Sequence, residues 1–362
     1  MRKRHLALIG SASLAIVAAL LWRSPKAERS AHRSASPAPV SAPTAAPLVH
    51  AVLAPTRPQE PKASAAKPTA APKRAVPVVQ ARWGGGPGQL GKKIANESSP
   101  EGPMSFAVDE HGSAFVLDQV NGRVEVFEPG AEPRSVPLPA DTFQDVALTK
   151  SKSLALLDRL ATESVAYVDE AGHVTHEIGL VGQGIKEGGD VTGLFQRDDG
   201  TWVEVQHQNL VRVADADENP LDDRDIVQGR FAPDGSVLRA SKSGELAAWI
   251  ARKRGDDPAE PLVKVGFDLP VWQILSLDTD AHGRIFLGAS LLLEGSAPSF
   301  DVLDAAEEVV VLEPNGAELT RVRLPANRGA EESFRRIRVG ADGALYHMGW
   351  DERGVTLSKV EL

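Results

Sequence analysis

The chain has 362 residues, no cysteine, and 40 basic against 49 acidic side chains. The missing cysteine excludes disulfides, thiolate metal sites and a cysteine nucleophile. Charge is distributed unevenly, because residues 1–82 have a net charge of +11 whereas residues 83–362 have a net charge of −20. A domain that acidic repels phosphate backbones, so we expect no nucleic-acid binding by it, and we expect charged partners to be cationic.

Residues 1–22 have the layout of a signal anchor, with a basic start followed by 17 uncharged residues. As a helix this apolar run is about 25 Å long, and flanking arginines with Trp22 would extend it across a hydrocarbon core about 30 Å thick. A cleaved signal peptide is the alternative, although small residues are poorly placed for a cleavage site. The prediction is a single-pass inner-membrane protein, in contact with the membrane through this helix only. Its remaining chain would lie in the periplasm or outside the cell, or be secreted after cleavage.

Residues 23–82 contain 11 prolines and 16 alanines. Proline removes backbone donors, and alanine offers too little apolar area to offset the entropy of ordering. This composition predicts a disordered basic linker, with a reach between roughly 40 Å as a flexible coil and about 180 Å as polyproline II.

Residues 83–362 contain a recurring hairpin pattern. Residues 124–132 and 309–318 are nearly the same sequence, and residues 167–172 form a third copy. Each copy has an alternating strand, a glycine turn and a second alternating strand, which is typical of a β-hairpin.

A second set of hairpins turns on a polar residue followed by glycine or a small residue. The six pairs are His111-Gly112, Lys152-Ser153, Asp199-Gly200, Asp234-Gly235, His282-Gly283 and Asp342-Gly343. Their spacing is 41, 47, 35, 48 and 60 residues, and the last interval contains an insertion at 291–308. Recurrence near 45 residues with about four strands per unit is typical of propeller blades. The predicted fold is therefore an all-β, six-bladed β-propeller over 83–362, preceded by the anchor helix and the linker.

The first predicted blade carries a family resemblance. Residues 103–127 contain a proline, a short apolar strand ending in Asp109, a turn at Gly112, a second strand ending in Asp118, and Asn121 two residues before Arg123. This stretch resembles an NHL repeat, and the following blades keep mainly the turns and the strand rhythm. The resemblance implies a propeller and no particular activity, because this fold supports both enzymes and binding proteins.

Four histidines are candidate site residues, and the sequence favours structural roles for them. His111 and His282 each precede a turn glycine. Histidine tolerates a left-handed backbone at such a turn position better than most side chains do. His173 and His176 are three residues apart on a predicted strand, so their side chains point to opposite faces and do not converge on one metal.

Two loops have partial matches to binding motifs. The stretch from Gly86 to Lys92 is close to a phosphate-binding loop, but Lys93 stands where Ser or Thr is required and no helix follows. The acidic stretch from Asp215 to Asp225 begins like a calcium loop, but Pro220 replaces the turn glycine. We interpret the second loop as a solvated connection, with a Ca²⁺ site of looser design as the weaker alternative.

Asp118 and Arg123 are predicted to form a structural ion pair inside the first blade. The tryptophans at 202, 249, 272 and 350 fall in four different blades and are expected mainly to pack strands, with one or two lining a face of the disc.

These observations predict no catalytic, cofactor-binding or metal-binding residue and no cofactor. The predicted function is therefore a non-catalytic binding or scaffold propeller in the cell envelope, acting on a protein or peptide partner. The main alternative is a Ca²⁺-dependent hydrolase or lyase of the six-bladed type, whose channel ligands would be scattered in sequence. A mainly structural role, in which the basic linker makes the functional contact, is the third hypothesis.

Overall fold

The computed structural model describes residues 75–94, 100–296, 301–324, 333–360 and 362. The predicted anchor at 1–22 and the linker up to residue 74 lie outside these residues. In the part of the chain that is described, no helix is both long and apolar enough to cross a membrane. The described residues form six four-stranded antiparallel sheets, arranged as the blades of a six-bladed β-propeller.

Each blade contains four strands that run alternately towards and away from one end of the disc. Blades one to three contain β2 (Ser105–Val108), β3 (Ala114–Asp118), β4 (Arg123–Phe127), β5 (Arg134–Pro137); β6 (Asp145–Leu148), β7 (Leu154–Asp158), β8 (Ser164–Val168), β9 (Val174–Gly179); and β10 (Val191–Arg197), β11 (Gly200–Val205), β12 (Asn209–Ala214), β13 (Ile226–Gln228). Blades four to six contain β14 (Arg230–Phe231), β15 (Val237–Lys242), β16 (Ala247–Lys253), β17 (Glu260–Gly266); β18 (Val271–Thr279), β19 (Ile285–Glu294), β20 (Val302–Leu312), β21 (Glu318–Leu324); and β22 (Ile337–Val339), β23 (Leu345–Asp351), β24 (Gly354–Val360) with β1 (Ala75–Arg82). Two short 3₁₀ turns, Gln119–Asn121 and Gly188–Asp190, lie between strands.

The ring is closed by β1, which pairs antiparallel with β24 and completes blade six. The composition of residues 75–82 predicts that they belong to the linker, whereas the structure shows that they form a strand. Their alternation of apolar and polar side chains, with Val79 and Ala81 buried, gives a strand face that packs in the core. The propeller therefore begins at residue 75 rather than at residue 83.

All six predicted inner turns connect the first and second strands of a blade. Gly112, Gly235, Gly283 and Gly343 adopt φ between 71° and 85°, and Lys152 takes the same left-handed conformation with φ of 65°. A glycine pays no steric penalty there, whereas lysine does, which explains why glycine dominates these turns. The predicted outer hairpins are also present, at β4–β5, β8–β9 and β20–β21.

The insertion predicted at 291–308 lengthens one hairpin. β19 and β20 pair from Ile285 with Leu312 out to Glu294 with Val302. Val302 and Leu303 on the extension are more than 60 % exposed, as is Leu160 in another blade. The inserted residues therefore extend the second and third strands of blade five beyond its other strands.

Clusters of buried apolar side chains fill the seams between most neighbouring blades. Five clusters of buried side chains join blades one and two, two and three, four and five, five and six, and six and one. Among the described residues, no such cluster joins blades three and four. There, Trp202 packs edge-on against Phe231 with ring centroids 5.1 Å apart, and the Arg197 guanidinium lies 4.0 Å from the Phe231 ring centroid. The seam between blades three and four is thus built from aromatic and arginine side chains.

Candidate functional site

The channel is bordered by the first strand of each blade, and its mouth is defined here as the end at which these strands begin. Asp145, the first residue of β6, is fully buried at this mouth. Its carboxylate accepts hydrogen bonds from the backbone N–H of Leu194 at 2.9 Å and from Arg338 Nη2 at 2.5 Å. One carboxylate therefore links blades two, three and six.

Two arginines of blade six reach across the channel. Arg335 Nη1 donates to the Leu194 carbonyl at 3.3 Å, and its guanidinium carbon lies 4.3 Å from the ring centroid of Phe195. Gly193 leaves the space for this guanidinium, since a Cβ at that position would collide with Arg335 Nη2. Burial lowers the pKa of Arg338 to about 10, against the opposing effect of Asp145, and that value still leaves it charged at neutral pH.

A third arginine approaches the same aromatic ring from blade four. Arg230 lies with its guanidinium carbon 4.4 Å from the Phe195 centroid and forms an ion pair with Glu204. His207 Nδ1 lies 3.3 Å from the other carboxylate oxygen of Glu204. Burial alone would raise the pKa of Glu204, but Arg230, His207 and Arg335 outweigh it and lower that pKa to about 2. Glu204 is therefore ionised throughout the physiological range.

Two neighbouring cavities lie at this position. The larger has a volume of about 310 Å³ and lies between the turn after β11, the edge of β15 and the middle of β18, while the smaller, of about 60 Å³, lies at the channel mouth itself. Both are bordered by Glu204, His207, Arg230, Leu275 and Ser276. Together they are lined by five cationic side chains and two acidic ones: Arg230, Arg239, Lys242, Arg335 and Arg336 against Glu204 and Asp278.

Some of the hydrogen-bonding capacity of these arginines is unused. In the described part of the chain, the buried Nε atoms of Arg230, which borders both cavities, and of Arg338, which bonds Asp145, have no hydrogen-bond partner. A guanidinium offers five N–H donors in a rigid fork that matches the geometry of carboxylates and phosphates. The arrangement can therefore bind an anionic group.

Few local sequence patterns point to these arginines. The run Phe334-Arg335-Arg336-Ile337-Arg338 is the one local signal, since arginines near the start of an inner strand lie close to the channel. Asp145, Glu204 and Arg230 are scattered over three blades, and nothing in their local sequence marks them.

The histidine candidates lie away from this site and apart from one another. The backbone N–H groups of His111 and His282 donate to the carboxylates of Asp109 and Asp280 at the starts of their turns. The left-handed residue of both turns is the following glycine, so the backbone reason proposed for histidine is wrong.

The other two candidate histidines lie on a different hairpin. His173 pairs with Asp169, whereas His176 stacks on Tyr167 with ring centroids 4.1 Å apart. Within the described residues, no group of three or more His, Asp or Glu side chains is placed to hold a metal ion.

The phosphate-loop candidate is bound to blade one by carboxylates. The N–H of Gly88 donates to Glu125 at 2.6 Å, and the N–H of Gly91 donates to Asp118 at 2.8 Å. Arg123 pairs with Asp118 at 3.1 Å, as predicted, and also donates to the Gly86 carbonyl at 2.9 Å. Backbone donors that would surround a phosphate are thus already used by acidic side chains.

The acidic loop that begins at Asp215 connects β12 and β13. The Asp215 carboxylate accepts hydrogen bonds from the backbone N–H groups of Asp217 and Asn219, and these bonds lower its pKa. This is the hydrogen bonding of a closed turn, in agreement with the solvated connection predicted from the sequence.

Of the four tryptophans, Trp202 and Trp350 are buried in strands, whereas Trp272 on β18 is 60 % exposed. Trp202 and Trp350 therefore pack inside blades as expected, and the exposure of Trp272 does not by itself place it on a face of the disc.

Comparisons with known proteins show only distant similarity. No protein-family model matches the chain and no curated protein sequence matches it, so the NHL-repeat resemblance is not confirmed. Similar solved structures include a gluconolactonase from Xanthomonas campestris, with 13 % identity, a TM-score of 0.44, and coverage of 81 % of this chain and 99 % of that chain. A streptogramin B lyase has 8 % identity, a TM-score of 0.43, and coverage of 75 % and 96 %. A calcium-binding regucalcin from Agrobacterium tumefaciens has 13 % identity, a TM-score of 0.42, and coverage of 71 % and 92 %. At this level the similarity carries no information about activity, and the six-bladed propeller rests on the strand pairing of the chain itself.

Proposed function

We propose that this protein is a non-catalytic binding propeller whose ligand carries an anionic group held at the channel mouth. The observation that carries the proposal is the excess of cationic side chains around the two neighbouring cavities, together with the buried Nε of Arg230, which lacks a hydrogen-bond partner in the described structure. Hydrogen bonds from charged donors are the strong ones, about 1.5–3 kcal/mol each.

The test uses small anions and one arginine at a time. We expect succinate or inorganic phosphate at millimolar concentration to raise the melting temperature of the wild-type propeller, because a ligand that binds the folded state stabilises it. Arg335→Ala should lower the affinity about tenfold or more in calorimetric titration, the loss expected from one charge-assisted hydrogen bond.

The matched control is Arg353→Ala, whose side chain is 90 % exposed and pairs with Asp351 on a turn of blade six. It should bind anions as the wild type does. Absence of binding for every anion, or equal losses in both variants, would refute the proposal.

The Ca²⁺-dependent enzyme predicted as the alternative meets an electrostatic obstacle at this mouth. Asp145, the buried carboxylate of β6, is bonded to Arg338, and Arg335 Nη1 lies 3.7 Å from its other oxygen. Two adjacent guanidinium groups repel a divalent cation. Calorimetric titration with Ca²⁺ should release no heat; heat that disappears in Asp145→Asn would favour the alternative.

We also propose, on the sequence alone, that the propeller is tethered to the inner membrane by residues 1–22 and lies outside the cytoplasm. The apolar run of residues 6–22 supports the membrane anchor, and the basic, proline- and alanine-rich composition of residues 23–74 supports an extended linker. The net charge of residues 83–362 would attract a cationic protein partner to surfaces away from the channel mouth.

Fractionation of cells expressing the full chain should recover it with the inner membrane, and protease added to spheroplasts should digest it. Deletion of residues 2–22 should leave the protein in the cytoplasm. A protease-resistant full-length protein would contradict the predicted orientation.

A further inference from the structure

The first strand of blade four is unusually short. β14 contains two residues, whereas the first strands of the other blades contain three to nine. A single residue, Gly229, separates β14 from β13, the last strand of blade three. Gly229 has a φ of 128°, and a Cβ there would collide with the Leu238 carbonyl, so only glycine fits this connection. The chain thus enters blade four partway along β15.

The short strand leaves part of β15 without a neighbour on its channel side. Ser243 N–H donates to the Ala247 carbonyl at 2.7 Å, and the register with β16 continues this pattern through Ser241. Odd-numbered residues of β15 therefore bond to β16, and even-numbered residues face β14. Leu238 is paired with Arg230.

Beyond that pair, the backbone groups of Ala240 and Lys242 face the larger cavity. Neither residue has a strand partner on that side among the described residues. An unpaired row of N–H and C=O groups is a template for pairing with another strand.

The chemistry of the cavity selects the kind of strand that fits. Arg239 and Lys242 line it beside this edge, and its acidic residue, Glu204, is already paired with Arg230. The opposite wall is largely apolar, with Ile274, Leu275 and Leu277 of β18. A strand with carboxylates on some side chains and apolar groups on others would be complementary to both walls.

We propose that the open edge of β15 binds an extended acidic peptide, which adds to blade four in line with β14. The edge from Arg239 to Lys242 accommodates about four residues, or about 13 Å of strand. Backbone pairing with Ala240 and Lys242 would supply affinity, and the cationic side chains would supply selectivity for carboxylates. This inference rests on the proposed anion-binding function and names its ligand class. The chain's own residues 23–74 are basic, so they do not match the charge of the cavity.

The decisive experiment changes the peptide rather than the protein. The probe is a blocked, fluorescently labelled hexapeptide of alternating glutamate and valine, with binding followed by fluorescence anisotropy. In a strand, alternate N–H groups face the partner, so N-methylation of one alternate set removes the pairing donors while methylation of the other set does not. We expect the two methylated peptides to differ in affinity by at least about tenfold.

A pair of protein variants provides the complementary test. Ala240→Pro removes the N–H that faces the cavity and leaves the bonds between β15 and β16 in place, as proline is tolerated at a strand edge. It should weaken peptide binding about tenfold. Lys264→Pro, on the outer strand β17, is the matched control, because the register of β17 with β16 turns the N–H of residue 264 away from the sheet. It should bind the peptide normally, and circular dichroism would establish that both variants are folded.

The outcomes separate this inference from the proposed function. Equal affinities of the two methylated peptides would overturn strand addition. If succinate still bound and Arg335→Ala still weakened its binding about tenfold, anion binding at the channel mouth would stand. Failure of both the peptide and succinate to bind would overturn both.

Discussion

The ion pair of Glu204 and Arg230 makes a quantitative prediction about stability. Lowering the pKa of Glu204 from 4.5 to about 2 corresponds to about 3 kcal/mol of folding free energy. Because the folded pKa lies below the unfolded one, this contribution is complete above about pH 4.5 and is lost as the pH falls towards 2. Glu204 is only 5 % exposed, so little of it is screened by solvent.

The perturbation is Glu204→Gln, which keeps the shape of the side chain and removes its charge. At pH 7 we expect the free energy of unfolding to fall by about 3 kcal/mol, because the positive charges of Arg230 and its neighbours lose the negative charge that they surround. Between pH 4.5 and 2 the unfolded wild type takes up a proton at Glu204 that the folded protein takes up only near pH 2, so the difference between the two proteins should shrink towards zero.

Urea unfolding followed by tryptophan fluorescence at pH 7, 5, 4 and 3 measures this difference directly. Other titrating groups are common to both proteins and largely cancel in the comparison. Glu352→Gln, on an exposed turn, is the control and should stay within about 0.5 kcal/mol of the wild type at every pH. A difference for Glu204→Gln that is independent of pH, or one below about 1 kcal/mol at pH 7, would refute the argument.

Three further predictions concern positions outside this pair. Gly229→Ala should destabilise the fold by about 2 kcal/mol or more in urea unfolding, because its Cβ would collide with the Leu238 carbonyl. Burial lowers the pKa of His347 to about 4, so the wild type should lose up to about 3 kcal/mol as the pH falls from 6.5 to 4, and His347→Gln should not show this loss in the same assay. Arg123→Met should lower the melting temperature, with a cost of about 3 kcal/mol for leaving the buried Asp118 carboxylate without its ion pair; an unchanged melting temperature would show that the pair is dispensable.

The fold was more predictable from the sequence than the site because its signals are local. A glycine such as Gly112 or Gly283 marks a turn that depends on neighbouring residues alone, and six such turns at blade-like spacing predict the ring. The site is assembled by contacts across the ring instead. Arg335 donates a hydrogen bond to the backbone of Leu194 from the opposite side of the channel, and no local sequence pattern predicts this contact.

The boundary of the propeller was misplaced for a related reason. Residues 75–82 contain alanine and proline like the preceding segment, and their role as a strand depends on pairing with β24 at the far end of the domain. Likewise, β14 is short because a single residue, Gly229, connects it to β13. The turn at Gly235 predicts a blade but not the length of its first strand.

The closure of the ring by β1 has a mechanical consequence. Ala75 pairs with Val360 and Arg82 pairs with Gly354, so the two ends of the propeller leave blade six side by side. A force pulling those ends apart would open the β1–β24 ladder like a zipper, one hydrogen bond after another, instead of shearing all of them together. Tension applied in this direction would therefore release β1 at low load and leave blade six with three strands. A short peptide joining the same two ends would protect that seam, and new termini could then be placed at an exposed turn elsewhere in the disc.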